Sequence, residues 1–438
     1  MDSLIAELIQ AVGSTRGVQV VGKVKAVSDT VLSAVLPGCA VGAFVQIGKD
    51  GIAQVAQVEQ DICRLVPLFL PTPPDAGTIA TLLERVPTIP VGNDLLGRVI
   101  SPLGIPMDGS PKMNVQKRWA IHRAAPHPFE RPQVTQQLVT GVKAIDGLLA
   151  IGKGARVGLF AGPGQGKSTL LGMLAMECTC DVAVICLAGE RGREAGEFVH
   201  RILGKRGLEK SVVVLATSDT PAAQRVLAFQ CATAVAEWFR DQGRSVLLLV
   251  DSLTRVVRAR RDLDLSLGIP AGPGGLAATT LSFLPGLIER ASPNAKGSIS
   301  AVYSVLSETQ GDELISSEIT SLLDGHILLS KKRADAGKWP AIDVVRSISR
   351  VMNAVTQPSH QQLAATIRAV VAAYEENEEM LLMGAYTKGS CPHTDAYLRW
   401  RAPIDAFLSQ GLNPVAFNRM YSQLEKIAGD ISRQLVSV

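Results

Sequence analysis

The chain has few aromatic residues and almost no net charge, and each shortage argues against a class of protein. Phenylalanine, tyrosine and tryptophan make up only 4% of the 438 residues, and the formal net charge is +4. Proteins that bind RNA or single-stranded DNA usually combine a strongly basic surface with aromatic side chains on which bases stack. The composition therefore predicts no nucleic-acid partner.

Cysteine patterns and long apolar runs are also missing. The 7 cysteines are scattered without the spacing of a metal site, and we predict that they are reduced thiols, as in a cytoplasmic protein. No apolar run is long enough to span a membrane, and no signal peptide is predicted at the start of the chain. We therefore expect a cytoplasmic protein whose contact with any membrane is peripheral.

What is present falls into three parts with different patterns. Residues 1–75 begin with an amphipathic segment, Met1–Val12, which predicts a helix that docks on a partner, on a membrane surface or on its own domain. Short β-rich pieces separated by glycine and proline follow from Val18 to about Leu70, and they predict a small β-barrel. An irregular connector is predicted for residues 76–136, and residues 359–438 have the periodicity of a helical domain.

Strand and helix patterns alternate in the middle of the chain, up to residue 358. This alternation predicts an α/β domain with a parallel sheet and helices on both of its faces. The predicted strands are short, apolar and rich in β-branched residues. They are ARVGLFA, DVAVICLA, SVVVLAT, SVLLLVD and SISAVYSVL. With the connector included, we assign residues 76–358 to this domain.

One predicted strand-to-helix turn lies within FAGPGQGKSTLLGML, Phe160–Leu174. Glycine lets backbone N–H groups converge on an anion, and the N-terminus of the following helix adds partial positive charge. Lys167 is placed to reach the β- and γ-phosphates of a nucleotide, and the Ser168 hydroxyl is placed to bind Mg²⁺. Ala161 stands where the usual pattern has its first glycine. The predicted nucleotide-binding residues are Gly162, Pro163, Gly164, Gln165, Gly166, Lys167, Ser168 and Thr169.

Carboxylates and arginines elsewhere are candidates for the same site. Asp251 ends an apolar strand, where a carboxylate beside a phosphate-binding turn can hold the hydration shell of Mg²⁺. Glu190 follows another strand and either orients the attacking water or simply pairs with the arginines that follow it. Arg346 and Arg350, taken as one helical turn apart, are candidates to neutralise charge that develops on the γ-phosphate.

Five segments occur in an order and spacing that point to one family. They are AGPGQGKSTLLGML, LAGERGRE, VLLLVDSLTR, SLLDGHILLSKKRADAGKWPAIDV and SISRVM. Together they resemble the export ATPases of type III secretion systems, in their injectisome and flagellar forms. That family is related to the catalytic subunit of rotary ATP synthases, but LLDGHI and PAID favour the export group. The resemblance runs from about Val18 to the end and is strongest from Thr140 to Met352.

The resemblance implies a barrel-like N-terminal domain, a RecA-like ATPase domain and a helical C-terminal domain. It also implies a homohexameric ring that binds ATP and Mg²⁺ at each subunit interface. Six side chains receive roles from it. They are Lys167 and Ser168 at the phosphates and Mg²⁺, Glu190 as the catalytic carboxylate with Arg191 beside it, Asp251 at the metal site, and Arg350 reaching into the neighbouring subunit's site.

The implied function is an ATP-hydrolysing motor that releases cargo from chaperones, unfolds it and passes it on for export. The implied partners are a stator or regulator protein that binds the N-terminal helix, a central stalk, an export gate and chaperone–cargo complexes. The implied location is the cytoplasmic face of the bacterial plasma membrane, at the secretion apparatus. The glycine-rich segment Ser266–Thr280 resembles the loop that faces the central channel and stalk.

The chain departs from the family pattern at three places. Gln165 is unusual in the phosphate-binding turn, which Pro163 stiffens, and Thr309–Gly311 replace a usual Gly-Asp-Asp after Glu308. The channel loop lacks the usual Gly-Tyr-Pro. These changes leave the main groups of the ATP site intact and affect the segments expected to couple it to the stalk and the ring.

Three alternative functions remain open at this point. The first is a non-catalytic ring subunit that binds nucleotide only for structure, although such subunits typically lose the catalytic carboxylate. The second is an RNA-translocating ring helicase, but Phe44 and Phe69 are the only aromatic residues of the barrel segment. The third is a subunit of a true rotary synthase, against which LLDGHI and SISRVM argue.

Overall fold

The computed structural model describes residues 20–110, 113–115, 117–306 and 312–436. The predicted docking helix Met1–Val12 and the departures at 309–311 lie outside the described residues. The strands are β1 (Val21–Val27), β2 (Leu32–Val35), β3 (Phe44–Ile47), β4 (Gly51–Glu59), β5 (Ile62–Phe69), β6 (Ile79–Glu84), β7 (Thr88–Val91), β8 (Arg98–Ile100), β9 (Lys117–Ala120), β10 (Gln137–Leu138), β11 (Ile151–Gly152), β12 (Arg156–Ala161), β13 (Val182–Ala188), β14 (Ser211–Ala216), β15 (Ser245–Asp251), β16 (Ser298–Leu306), β17 (Gly325–Leu329) and β18 (Ile342–Ser349).

The helices lie mostly in the second half of the chain. They are α1 (Lys143–Leu148), α2 (Lys167–Glu177), α3 (Gly192–Glu197), α4 (Gly204–Glu209), α5 (Ala222–Asp241), α6 (Leu253–Ser266), α7 (Ala278–Ile288), α8 (Asp312–Ser321), α9 (Lys331–Asp335), α10 (Met352–Val355), α11 (Pro358–Leu382), α12 (Pro392–Leu408) and α13 (Phe417–Val436). A π-helical stretch, Phe198–Leu203, joins α3 to α4. None of the described helices is both long and apolar enough to cross a membrane.

The predicted N-terminal barrel is confirmed. Six strands close in the order β1-β2-β5-β4-β3-β6. Side chains on a strand alternate between its two faces, and the inward positions are apolar, so that Leu32 of β2 lies opposite Leu65 of β5 with both fully buried. The closing strand β6 lies in the range that we assigned to the connector, so the barrel reaches Glu84.

A parallel sheet forms the centre of the molecule, as predicted. Its order is β18-β17-β12-β16-β15-β13-β14-β8, and each neighbouring pair is parallel except β17 with β18. All residues of β13 are buried, with Ile185 and Leu187 in one core and Val184 and Cys186 in the other. Burial on both faces explains why these strands are continuously apolar instead of alternating.

Two sequence-based expectations were wrong in this region. The connector is not purely irregular, because it supplies β8 to the edge of the central sheet and the small β7–β9 pair. The segment with Arg346 and Arg350 is not helical, because Ile342–Ser349 is the edge strand β18, paired antiparallel with β17. A spacing of four residues places side chains on one side of a strand as well as of a helix, so the spacing alone could not discriminate between them.

The C-terminal part is helical, as predicted, and packs against the central domain. Phe407 of α12 and Met420 of α13 lie against Gly147 of α1, where an added Cβ would be 2.8 Å from the Phe407 ring. His360 of α11 lies with its Nε2 2.9 Å from the Gly147 carbonyl oxygen. The helical domain and α1 share one apolar core, which also contains Leu170 and Leu171 of α2, the helix that follows the phosphate-binding turn.

Candidate functional site

The glycine-rich turn connects β12 to α2, at the carboxyl edge of the parallel sheet. Gly164 and Gly166 have φ values of 71° and 82°, which side chains other than glycine rarely adopt. A Cβ on Gly166 would also stand 2.8 Å from the Trp339 ring. Glycine is therefore needed at both positions for the backbone conformation. At Gly166 it is also needed because the Trp339 indole lies so close.

Gln165, unusual for its position, has a structural role inside the turn. Its Oε1 accepts a hydrogen bond of 2.8 Å from the backbone N–H of Gly162, three residues earlier. This hydrogen bond joins the start of the turn to its middle. The turn is thus held by its own side chain as well as by Pro163.

Lys167 lies at the first position of α2, between two buried carboxylates. Its Nζ contacts Oδ1 of Asp251 and lies 3.3 Å from Oε1 of Glu190. Glu190 is 7% exposed and Asp251 is 3% exposed. Burial disfavours the charged lysine, but the attraction of the two carboxylates outweighs it and raises the pKa of Lys167 above its usual value. The structure therefore brings together three residues that are far apart in sequence.

Two further side chains complete this group and were not predicted. Arg255 of α6 forms an ion pair with Oε1 of Glu190, and the Ser304 hydroxyl donates to Oδ1 of Asp251 at 2.6 Å. Burial acts to raise the pKa of Glu190, but Arg255 and Lys167 outweigh it, so its pKa lies below the usual value. The sequence held one signal for Arg255, an arginine four residues after Asp251 at the start of the next helix.

A cavity of about 1230 Å³ opens above the turn. Residues 162–169 line one side, with Ser168 and Thr169 in the first turn of α2, and Glu190, Arg191 and Arg255 lie nearby. Arg191 lies at the cavity wall with its side chain 78% exposed and 3.5 Å from Glu194. The cavity is large enough for a nucleoside triphosphate, since ligand pockets usually enclose about 300–1,000 Å³.

Other parts of the cavity wall come from sequence-distant segments that were not predicted to be there. Trp339 and Pro340 contribute an aromatic and apolar surface, and the loop that follows α12 contributes Gln410 and Leu412. The Gln410 backbone N–H donates to the Trp339 carbonyl at 2.8 Å, which ties the helical domain to this wall. Such a surface suits the flat, partly apolar base of a nucleotide.

Arg350 is not brought into this cavity. It follows β18 with an exposed side chain, its backbone N–H donates to the Asp324 carbonyl at 2.9 Å, and it is not among the described residues that line the cavity. Arg346 is likewise exposed on the same edge strand. Within one subunit, therefore, the charge that faces Glu190 comes from Lys167 and Arg255.

We expect Arg255→Gln to lower turnover and to move the acid limb of the kcat–pH profile to higher pH. Arg255 favours the ionised form of Glu190, so its removal lets burial raise the pKa of Glu190, and the carboxylate becomes protonated at a higher pH. The limb should move by about 1 unit or more, since an adjacent opposite charge shifts a carboxyl pKa by that much. Phosphate release measured from pH 5 to 9 tests this, with Arg261→Gln, farther along the same helix, as the control. If the acid limb lies at the same pH in Arg255→Gln and in Arg261→Gln, Arg255 does not control the ionisation of Glu190.

Comparison with known proteins identifies the family of this chain. A model of the ATP synthase alpha/beta family, nucleotide-binding domain, matches residues 141–349, and a model of the T3SS EscN ATPase C-terminal domain matches residues 356–426. The flagellum-specific ATP synthase of Bacillus subtilis (strain 168) is 36% identical over 433 residues, which cover 97% of this chain and 98% of that protein. The SPI-2 type 3 secretion system ATPase of Salmonella typhimurium is 42% identical over 400 residues, which cover 90% of this chain and 91% of that protein.

The solved structures give the same result. The assembled ATPase EscN of the type III secretion system of enteropathogenic E. coli matches with a TM-score of 0.87 and 38% identity, over 93% of this chain and 100% of EscN. EscN has also been solved in complex with its central stalk, EscO, and that structure matches equally well. These relatives are named as ATPases or as a flagellum-specific ATP synthase, which gives no support to a non-catalytic subunit or an RNA helicase. The chain therefore belongs to the family of type III secretion and flagellum-specific ATPases.

Proposed function

We propose that this chain is the ATP-hydrolysing motor of a type III protein export apparatus, in which hydrolysis drives chaperone release, cargo unfolding and export. One observation carries the catalytic part of this proposal. Lys167 lies between Glu190 and Asp251 directly below the glycine-rich turn, so that a phosphate-binding cation and a water-orienting carboxylate share one site. The export part rests on membership of the family.

Hydrolysis follows from the positions of these side chains. The backbone N–H groups of the turn and the N-terminus of α2 bind the phosphates, and Lys167 exchanges its carboxylate partners for phosphate oxygens. Glu190, kept ionised by Arg255, accepts a hydrogen bond from a water molecule and directs it at the γ-phosphorus. The new P–O bond forms as the bond to the β–γ bridging oxygen breaks, which gives ADP and inorganic phosphate.

The donor set also fits Mg²⁺, which prefers oxygen ligands. Ser168 lines the cavity, and the Asp251 carboxylate is buried beside Lys167 with one hydrogen bond from Ser304. We infer that Ser168 binds the ion directly and that Asp251 holds its water shell. When bound, Mg²⁺ would neutralise charge on the β- and γ-phosphates.

We further propose a homohexameric ring in which Arg350 completes the site of the neighbouring subunit. Its exposed position on the edge of the sheet, outside its own cavity, supports this role. A head-to-tail contact closes into a ring when its rotation allows, and each site then borrows groups from the next copy. The relative EscN is described as assembled, which supports a ring for this chain too.

The proposed partners follow from the same family. We infer a central stalk, as EscN has in EscO, together with a stator or regulator protein that binds the N-terminal segment, an export gate and chaperone–cargo complexes. The proposed location is the cytoplasmic face of the plasma membrane, at the secretion apparatus.

Isolation of the tagged chain from its own cells tests the export function. Components of one flagellar or injectisome apparatus should co-purify with the intact chain.

Deletion of residues 1–12 should abolish co-purification of a stator protein and leave ATP hydrolysis nearly unchanged, because the segment precedes the barrel and the site lies in the central domain. Co-purification of rotary synthase subunits or RNA instead would contradict the proposal, and a much lower melting temperature after the deletion would show that the segment belongs to the core.

A further inference from the structure

One buried carboxylate holds both ends of the glycine-rich loop that joins α6 to α7. Asp264, near the end of α6, is 1% exposed. Its Oδ2 accepts hydrogen bonds from the hydroxyls of Thr279 at 2.6 Å and Thr280 at 2.7 Å, both in the first turn of α7. The loop between them is closed by these two bonds.

Further bonds at the base of the loop strengthen this closure. Nη2 of Arg260 lies 3.0 Å from Oδ1 of Asp264, so the carboxylate is charge-paired as well as hydrogen-bonded. The backbone carbonyl of Asp264 accepts the N–H of Ile269 at 2.9 Å. Hydrogen bonds to an ionised acceptor are stronger than neutral ones, and burial protects them from water.

The loop is also anchored from two other directions. Nη1 of Arg64, on barrel strand β5, donates to the Leu267 carbonyl at 2.7 Å. Gly274, with φ of 65°, lies so close to α8 that an added Cβ would be 2.5 Å from Leu314. The loop is therefore held at Leu267 and at Gly274, while residues 270–273 between them are exposed and the whole segment 265–288 is uncharged.

The same helix reaches the ATP site at its other end. Arg255, in the first turn of α6, pairs with Glu190, and Asp264 lies in the last turn. The 14 residues of α6 span about 20 Å at the usual rise per residue. The loop is therefore fixed to the same helix that contacts Glu190.

We propose that Asp264 is a positioning residue, which holds Thr279 and Thr280 so that the glycine-rich loop is a rigid extension of α6. The inference rests on the proposed function, in which the chain binds a central stalk. In this chain the two threonine hydroxyls fix a loop that lacks the family's Gly-Tyr-Pro. Without them, a shift of α6 would be absorbed within the loop and would not reach the tip.

Amide hydrogen exchange of the full chain tests the proposal with a matched pair of double variants. Thr279→Val/Thr280→Val removes both hydroxyls and keeps the shape of the side chains, whereas Thr279→Ser/Thr280→Ser retains both hydroxyls. The Ile269 and Gly272 amides, bonded to Asp264 and Leu276 across the loop, should exchange roughly tenfold faster in the valine variant. They should exchange at the wild-type rate in the serine variant.

Equal exchange in the wild type and the valine variant would overturn the proposal. If the valine double variant melts before the measurement, Thr279→Val alone replaces it, since that side chain is only half-buried; faster exchange supports the role of Asp264 and unchanged exchange overturns it. ATP hydrolysis by the isolated protein should stay within about twofold of wild type in each variant, because neither threonine lines the nucleotide cavity. A wild-type chain that hydrolyses no ATP would contradict the proposed function and leave the loop result standing.

Discussion

Lys167→Ala should abolish ATP binding, whereas Glu190→Gln should bind ATP with near-normal affinity and hydrolyse it at least about 100-fold more slowly. The lysine contacts phosphate in the ground state, but the carboxylate acts on water only as the transition state forms. The structure adds a second reason for the lysine effect. Without Lys167, Asp251 loses the buried cation that it contacts, and the site repels an anionic ligand.

Nucleotide titration and phosphate release, measured on the same preparations, separate the two effects. Arg193→Ala is the control for a general loss of positive charge, since this arginine is 82% exposed and is not among the described residues that line the cavity, although its ion-pair partner Glu197 does line it. It should bind and hydrolyse ATP like the wild type. Equal loss of ATP binding in Lys167→Ala and Glu190→Gln would refute the assignment of Glu190 as the water-orienting group.

Arg350→Ala should lower kcat by about 10³-fold or more and leave ATP affinity and ring assembly unchanged. Arginines supplied by a neighbouring subunit or protein accelerate phosphoryl transfer by about 10³–10⁵-fold. Because Arg350 lies outside its own cavity, wild-type specific activity should also rise with protein concentration as rings form. In Arg350→Ala, specific activity should rise very little with protein concentration.

A mixing experiment identifies the neighbour as the source of the arginine. Arg350→Ala mixed with Glu190→Gln should recover some turnover, because certain interfaces then join an intact Glu190 to an intact Arg350. Arg346→Ala is the matched control, since Arg346 is exposed on the same edge strand and should matter less. Two results would exclude this role for Arg350. One is a wild-type specific activity that stays constant over the protein concentrations at which rings form, and the other is a larger loss of turnover in Arg346→Ala than in Arg350→Ala.

The sequence by itself determined the features that depend on neighbouring residues. Continuous apolar runs identified the five inner strands from β12 to β16, since strands covered on both faces exclude polar side chains. The glycines before Lys167 identified the phosphate-binding turn, because few other residues accept the positive φ of Gly164 and Gly166. Asp251 and Glu190 were placed at one edge correctly because parallel strands all end on the same side of the sheet.

Only the tertiary structure decided which distant side chains meet. Ser304 bonds to Asp251 across 53 residues, and the Trp339 ring fits against Gly166 from a loop that follows α9. No local pattern encodes such contacts, because they depend on the order of strands in the sheet and on the packing of side chains between segments. The same reason explains the error at Arg346 and Arg350, where pairing with β17 made an edge strand of a segment whose spacing also fits a helix.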